Sequence, residues 1–199
     1  MRRVATIVTA PADTPVSLAE VKAHCRVSFS DDDIIMAIYI ASAVASVEQF
    51  LQRKLINQTW KMFLDYWPQK IETQFGTLQS VAHVKYTDVD ETTATLSSTL
   101  YTVDTASVPG RIVLKDGESW PSVTLNEVNP IEVQFVTGYG ATSASVPQDI
   151  RNAVLMTAAH LYENREPVIV GDMRTVEPVE VPWTFKALLA PHRVPRWCV

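Results

Sequence analysis

The sequence predicts an α+β fold: a small α-helical bundle of three main helices, an antiparallel β unit inserted between them, and an extended C-terminal arm. Three observations lead there. Apolar residues recur at helical spacing near both ends of the chain, in 17–55 and 147–166. Between them, residues 57–137 alternate apolar and polar in short runs. After them, Pro167, Pro178, Pro182, Pro191 and Pro195 interrupt any regular pattern. The organisation read from this is 1–56 as the N-terminal helices of the core and 57–137 as the β insertion. Residues 138–166 are the closing core helix, and 167–199 a proline-rich arm.

The best-marked element is the closing helix. Pro147 suits a first helical position, where its missing N–H would be unpaired anyway, and Asp149 adds negative charge where the helix dipole favours it. Ile150, Val154, Leu155, Ala158, Leu161 and Tyr162 then fall on one buried face, and Pro167 stops the helix. Gly138 and Gly140 before it allow a sharp turn from strand to helix.

Residues 1–16, with Pro11 and Pro15, read as an extended lead-in. Ser17 and Glu20 have the spacing of a capping box, so a short helix starts at Leu18 and ends near Arg26, with Leu18, Val21 and Cys25 inward. A longer helix follows from Ser30, with Asp31, Asp32 and Asp33 at its positive end. About 22 residues would span roughly 33 Å. Its apolar face is read through Ile34, Ile38, Ala41, Ala45 and Phe50 towards Leu55. The small residues there suit close helix packing, either in the core or between neighbouring subunits of an assembly.

From Asn57 the period becomes two: Trp60, Met62, Leu64 and Tyr66 share one face. Further strands are expected at 71–75, 81–87, 95–103, 111–114 and 131–137, with a hairpin turn over Asp88–Thr92 and a turn at Pro109–Gly110. The proline-rich arm keeps some periodicity only around Trp183–Leu189. It carries Trp183, Phe185, Leu188, Leu189, Arg193 and Trp197, residues that dock on a surface, either of the chain's own domain or of a neighbouring protein.

A hydrophobic fraction of 47% and a charged fraction of 20% are globular values. A net charge of −5 argues against a protein that grips nucleic acid through a basic face. No apolar run approaches the length of a membrane span, and Arg2–Arg3 precede too short a run for a signal peptide. Cys25 and Cys198 read as free thiols. Catalytic and cofactor signatures are missing: the three aspartates diverge by about 100° per residue on a helix and do not converge on one ion. His160 with Glu163 is a His–Glu pair without a second copy elsewhere, and Gly138–Tyr139–Gly140 lacks the lysine of a phosphate loop. The expectation is therefore a non-enzyme with no metal and no cofactor, set against a metal-dependent hydrolase as the enzymatic alternative.

Across nearly its whole length the chain resembles the head–tail connector (adaptor) proteins of long-tailed bacteriophages, in the larger subgroup with a β insertion between the helices. The residues carrying the resemblance are VSLAEVKAHCRV at 16–27, the three aspartates at 31–33, INQTW at 56–60, LQSVAHVKYTD at 78–88 and YTVDTASVPGRIV at 101–113. They continue with WP at 120–121, VQFVTGYG at 133–140, VPQDIRNAVLMTAAHLYENREPVIVG at 146–171 and ALLAPHRV at 187–194. Asp90–Glu91 stands where such proteins often have Asp-Gly. The resemblance implies a structural virion protein of the neck, made in the host cytoplasm and assembled into a ring of twelve copies. It implies docking beneath the portal protein, attachment of a stopper or tail-completion protein, and passage of double-stranded DNA without sequence-specific binding. Other neck proteins and a stand-alone binding module are the alternatives.

Overall fold

The computed structural model describes residues 3–164, 168–170, 176–178 and 183–194. Its elements in chain order are β1 Arg3–Thr9, α1 Leu18–Cys25, α2 Asp33–Leu51, β2 Gln58–Leu64, β3 Ile71–Glu72, β4 Leu78–Thr87 and β5 Thr93–Thr95. They continue with β6 Tyr101–Asp104, β7 Arg111–Leu114, β8 Ile131–Thr137, α3 Gln148–Glu163, β9 Val168–Val170, β10 Val176–Pro178 and α4 Trp183–Leu189. Short 3-10 turns cover Ser143–Ser145 and Ala190–His192. The chain divides into two units, one holding, among the described residues, 3–13, 52–141 and Val194, the other those within 14–51 and 142–193.

The first unit is all β. A five-stranded antiparallel sheet has the order β1-β2-β8-β4-β5, and a three-stranded sheet the order β3-β7-β6. β8 shows why alternation was legible: Ile131, Val133, Phe135 and Thr137 are buried while the residues between them are half-exposed. Met62, Leu64, Val84, Ile71 and Ile112 join them in the core. β1 is a paired strand where the sequence suggested only an extended lead-in. It lies at the sheet edge with Ile7 and Val8 both about half exposed, so neither face imposes the alternation that marks a strand.

The expected strand 95–103 is two strands. β5 pairs with β4 and β6 with β7, and a turn closed by Leu100 N–H donating to Ser97 O separates them. Trp60 is half-buried, its ring 4.5 Å from that of Phe75. Tyr66 lies beyond β2 and is 53% exposed. The hairpin turn is an Asp88 loop, whose Oδ1 accepts from Asp90 N (3.0 Å) and Thr92 N (2.9 Å). At the second turn Asp104 accepts from Ala106 N, Ser107 N, Ser107 Oγ and Arg111 Nε. The Ser107 bonds, then that from Arg111, hold the Asp104 carboxyl well below the usual carboxylate range. Gly110 lies under Leu78: a Cβ there would meet Leu78 Cβ at 2.3 Å.

The two ends of the long insertion run side by side. Asn57 N donates to Gly140 O (2.9 Å) and Tyr139 N to Leu55 O (3.0 Å). Gly138 has φ +147, and a Cβ on it would sit 2.6 Å from Asn57 N.

The second unit is helical. The capping box forms: Glu20 N donates to Ser17 Oγ and Ser17 N to a Glu20 carboxylate oxygen. Arg26 in the left-handed conformation ends α1. α2 has 19 residues and starts at Asp33, because Ser30–Asp32 form a turn before it. Pro147 caps α3, one position earlier than the first helical position. β9 and β10 pair antiparallel with each other. The arm is not extended throughout: residues 183–192 form α4 and the 3-10 turn.

Candidate interaction surfaces

α2 is the element whose sequence is hardest to read. Its 19 residues hold few charges, and by length and composition alone it would pass as a membrane span, with a mean hydropathy of 1.8 over its best window. Its buried face is Met36, Ile40, Ala43, Val47 and Leu51, all 5% exposed or less. The face expected from the sequence is the other one. Ile34 is 80% and Ile38 54% exposed, and Ala41 and Ala45 are exposed with them. These four do not pack in the core of this chain. A helix apolar on nearly every side has no single stripe, so spacing could not choose between the faces.

α3 meets its expectation more closely. Ile150, Val154 and Ala158 are fully buried, while Leu155, Leu161 and Tyr162 are half-buried at the edge of the same face. Ala153, Thr157 and Ala159 are also buried, which sequence reasoning missed because small residues give little hydrophobic signal. Thr157 Oγ1 is satisfied by Ala153 O at 2.8 Å.

The aspartates at the start of α2 diverge. Asp32 Oδ2 accepts from Tyr162 Oη and Asp33 Oδ1 from Lys22 Nζ, both at 2.6 Å, while Asp31 is exposed. His160 is half-buried with Asn164 beside it, and Glu163 is exposed. No group of three or more His, Cys, Asp or Glu suited to a metal ion occurs among the described residues. Cys25 is a free thiol, and burial pushes its pKa up, away from reactivity. A cleft of about 290 Å³ between α1 and α3 has Val16, Ala23 and Leu155 among its lining residues. Beside it Arg151 bridges Glu20 (2.5 Å) and Pro15 O (2.9 Å).

The arm residues separate into two groups. Phe185 and Leu189 are 8% and 0% exposed, and the Phe185 ring packs 5.8 Å from Phe50. They belong to the core of their own unit and are not free to dock elsewhere. Leu188 is half-buried and Lys186 exposed. Arg193 sits over the Phe50 ring at 5.2 Å and remains exposed. His192 Nε2 lies 2.9 Å from Asp149 Oδ2, tying the end of the arm's helix to the start of α3. The Trp183 side chain and Trp197, together with Cys198, lie outside the described residues.

Comparison with known proteins gives a consistent result. The family model for phage gp6-like head-tail connector proteins matches residues 15–107. Among curated proteins, none matches the sequence significantly. A chain from the neck of an empty gene transfer agent (GTA) particle, computed with C6 symmetry, is similar at a TM-score of 0.80 and 22% identity, covering 97% of this chain and 96% of that one. A chain from the virion of the native particle gives 0.74 at 22% identity, covering 96% of each chain. One from the native neck, computed with C12 symmetry, gives 0.73 at 22% identity, covering 97% of this chain and 96% of that one. At that identity the likeness establishes the fold. Residues 15–107 thus carry the pattern of the phage gp6-like head-tail connector proteins, within a fold that the whole chain shares with these neck chains.

Proposed function

We propose that this protein is a structural subunit of a virion neck, acting as an adaptor ring beneath the portal and making or breaking no covalent bond. The observation that carries the reading is the outward face of α2. Ile34 and Ile38 with Ala41 and Ala45 form an exposed apolar stripe that finds no partner within its own unit. Closed cyclic assemblies need such surfaces, matched head to tail between neighbours. The family match and the shared fold support the same reading, and the neck described with C12 symmetry makes twelve copies the stoichiometry to test.

The chain's charge suits a DNA channel. A net charge of −5 lets duplex slide past, since counterion release at basic patches would instead hold it. Portal docking falls to the segment after Arg193, with Trp197 as its aromatic anchor. Phe185 and Leu189 take no part in it, because both are already buried. The opposite surface of the ring then receives the stopper or tail-completion protein.

The test is electron microscopy of the purified protein, alone and mixed with its portal. Rings of twelve seated on the portal are expected. A protein that stays monomeric and leaves the portal bare overturns the proposal.

A further inference from the structure

The tip of the β unit carries a second apolar surface. The turn 88–92 and the loop 122–130 are laced by backbone hydrogen bonds: Val89 N to Thr124 O (3.2 Å), Asn126 N to Thr87 O (3.1 Å) and Thr87 N to Pro130 O (2.8 Å). Asp88 Oδ1 closes the turn from within. Leu125 is half-buried against the sheet core and pins the loop from below. On this braced tip Val89, Val123 and Val128 are 55%, 42% and 72% exposed. A lone exposed valine is ordinary on any surface. Here three stand on two loops bonded to each other.

The same two loops contain Asp88, Asp90, Glu91 and Glu127 and no lysine or arginine. Asp90, Glu91 and Glu127 are exposed, and none has a cationic partner among the described residues. An apolar centre with an unneutralised acidic rim is complementary to a protein face with an apolar centre and a Lys/Arg rim. DNA and anionic membranes would be repelled by the rim, and so would the same tip of a second copy.

We propose that this tip is a docking surface for a basic-rimmed protein partner. The inference rests on the neck reading, which assigns the portal to the segment after Arg193 and the neighbouring copy to α2, so that the partner left for the tip is the tail-side neighbour. Because the tip is braced before binding, little ordering is needed on contact.

The experiment measures binding of the full-length ring to two purified probes, the stopper protein and the portal of the same neck. One variant combines Val89→Ser, Val123→Ser and Val128→Ser. The second, which leaves the valines in place, combines Asp90→Asn, Glu91→Gln and Glu127→Gln. Stopper affinity should fall about tenfold or more in each, as expected for lost interface anchors and lost charge complementarity. The parent protein's affinity should also weaken as salt rises. Ring assembly and portal binding should be unchanged. Unaltered stopper binding in both variants overturns the inference while leaving the neck reading intact. So does a loss that falls on the portal or on ring assembly instead. A parent protein that forms no ring and binds neither probe overturns both.

Discussion

Tyr162 Oη donates a 2.6 Å hydrogen bond to Asp32 Oδ2, joining the last turns of α3 to the turn that launches α2. The contact spans 130 residues of chain and explains two features the sequence showed separately, an aspartate run and a tyrosine on the helix edge. Tyr162→Phe should cost about 1 kcal/mol. At the size of this chain that lowers Tm by about 2–4 °C in a thermal melt followed by circular dichroism. An unchanged Tm would show the bond to be energetically silent.

Packing of α4 gives a sharper contrast. Leu189→Ala removes a fully buried side chain and should destabilise the protein by about 2–5 kcal/mol, read from urea unfolding. Ending the chain after Val194 keeps Phe185 and Leu189 in place and should leave the urea midpoint unchanged while weakening portal binding. Equal portal affinity for the shortened chain would refute the tail as the docking element.

On α2, Ile34→Asp combined with Ile38→Asp should leave the melting temperature within about 2 °C, because both side chains face solvent in the single chain. Ring formation, followed by mass photometry, should be lost. Intact rings from this variant would place the subunit interface elsewhere.

Gly138→Ala should be among the most damaging single changes in the β unit. The new methyl group would meet the Asn57 backbone N at 2.6 Å, and the φ of +147 is one that alanine rarely adopts. The expected loss is about 2–4 kcal/mol by denaturant titration, in the range of combined overpacking and backbone strain.

Glu132 gives the first unit an acid-sensitive tie. Burial pushes its carboxyl pKa up, but hydrogen bonds from His83 Nε2 (3.0 Å) and Lys61 Nζ (3.1 Å) outweigh that and leave it lowered. A group lowered on folding stabilises fully above its unfolded value, about 4.3 for glutamate, and loses that contribution as the pH falls through the folded value. Glu132→Gln should therefore be less stable than the parent by about 0.5–1 kcal/mol at pH 6. The gap should close below about pH 4. A gap independent of pH would mean the charge is not what holds these strands.

What the sequence determined by itself is what neighbours along the chain decide. The Ser17–Glu20 capping box, the Asp88 turn, the alternation of β8 and the buried stripe of α3 each depend on side chains a few residues apart, and each is present. The periodicity around Trp183–Leu189 was visible too, as α4. Tertiary structure decided the rest. α2 is apolar on nearly all sides, so only its packing partners could choose Met36, Ile40 and Ala43 for the core and leave Ile34 and Ile38 outside. β1 has no local signature because an edge strand exposed on both faces needs none. Its identity comes from pairing with β2, fifty or more residues away. Whether Phe185 and Leu189 dock on their own domain or on a neighbour stayed open in the sequence, because their binding site is made by helices distant along the chain. Local hydrogen bonds and spacing are written into adjacent residues, whereas the choice of which apolar face to bury is a competition between surfaces that exist only once the chain has folded.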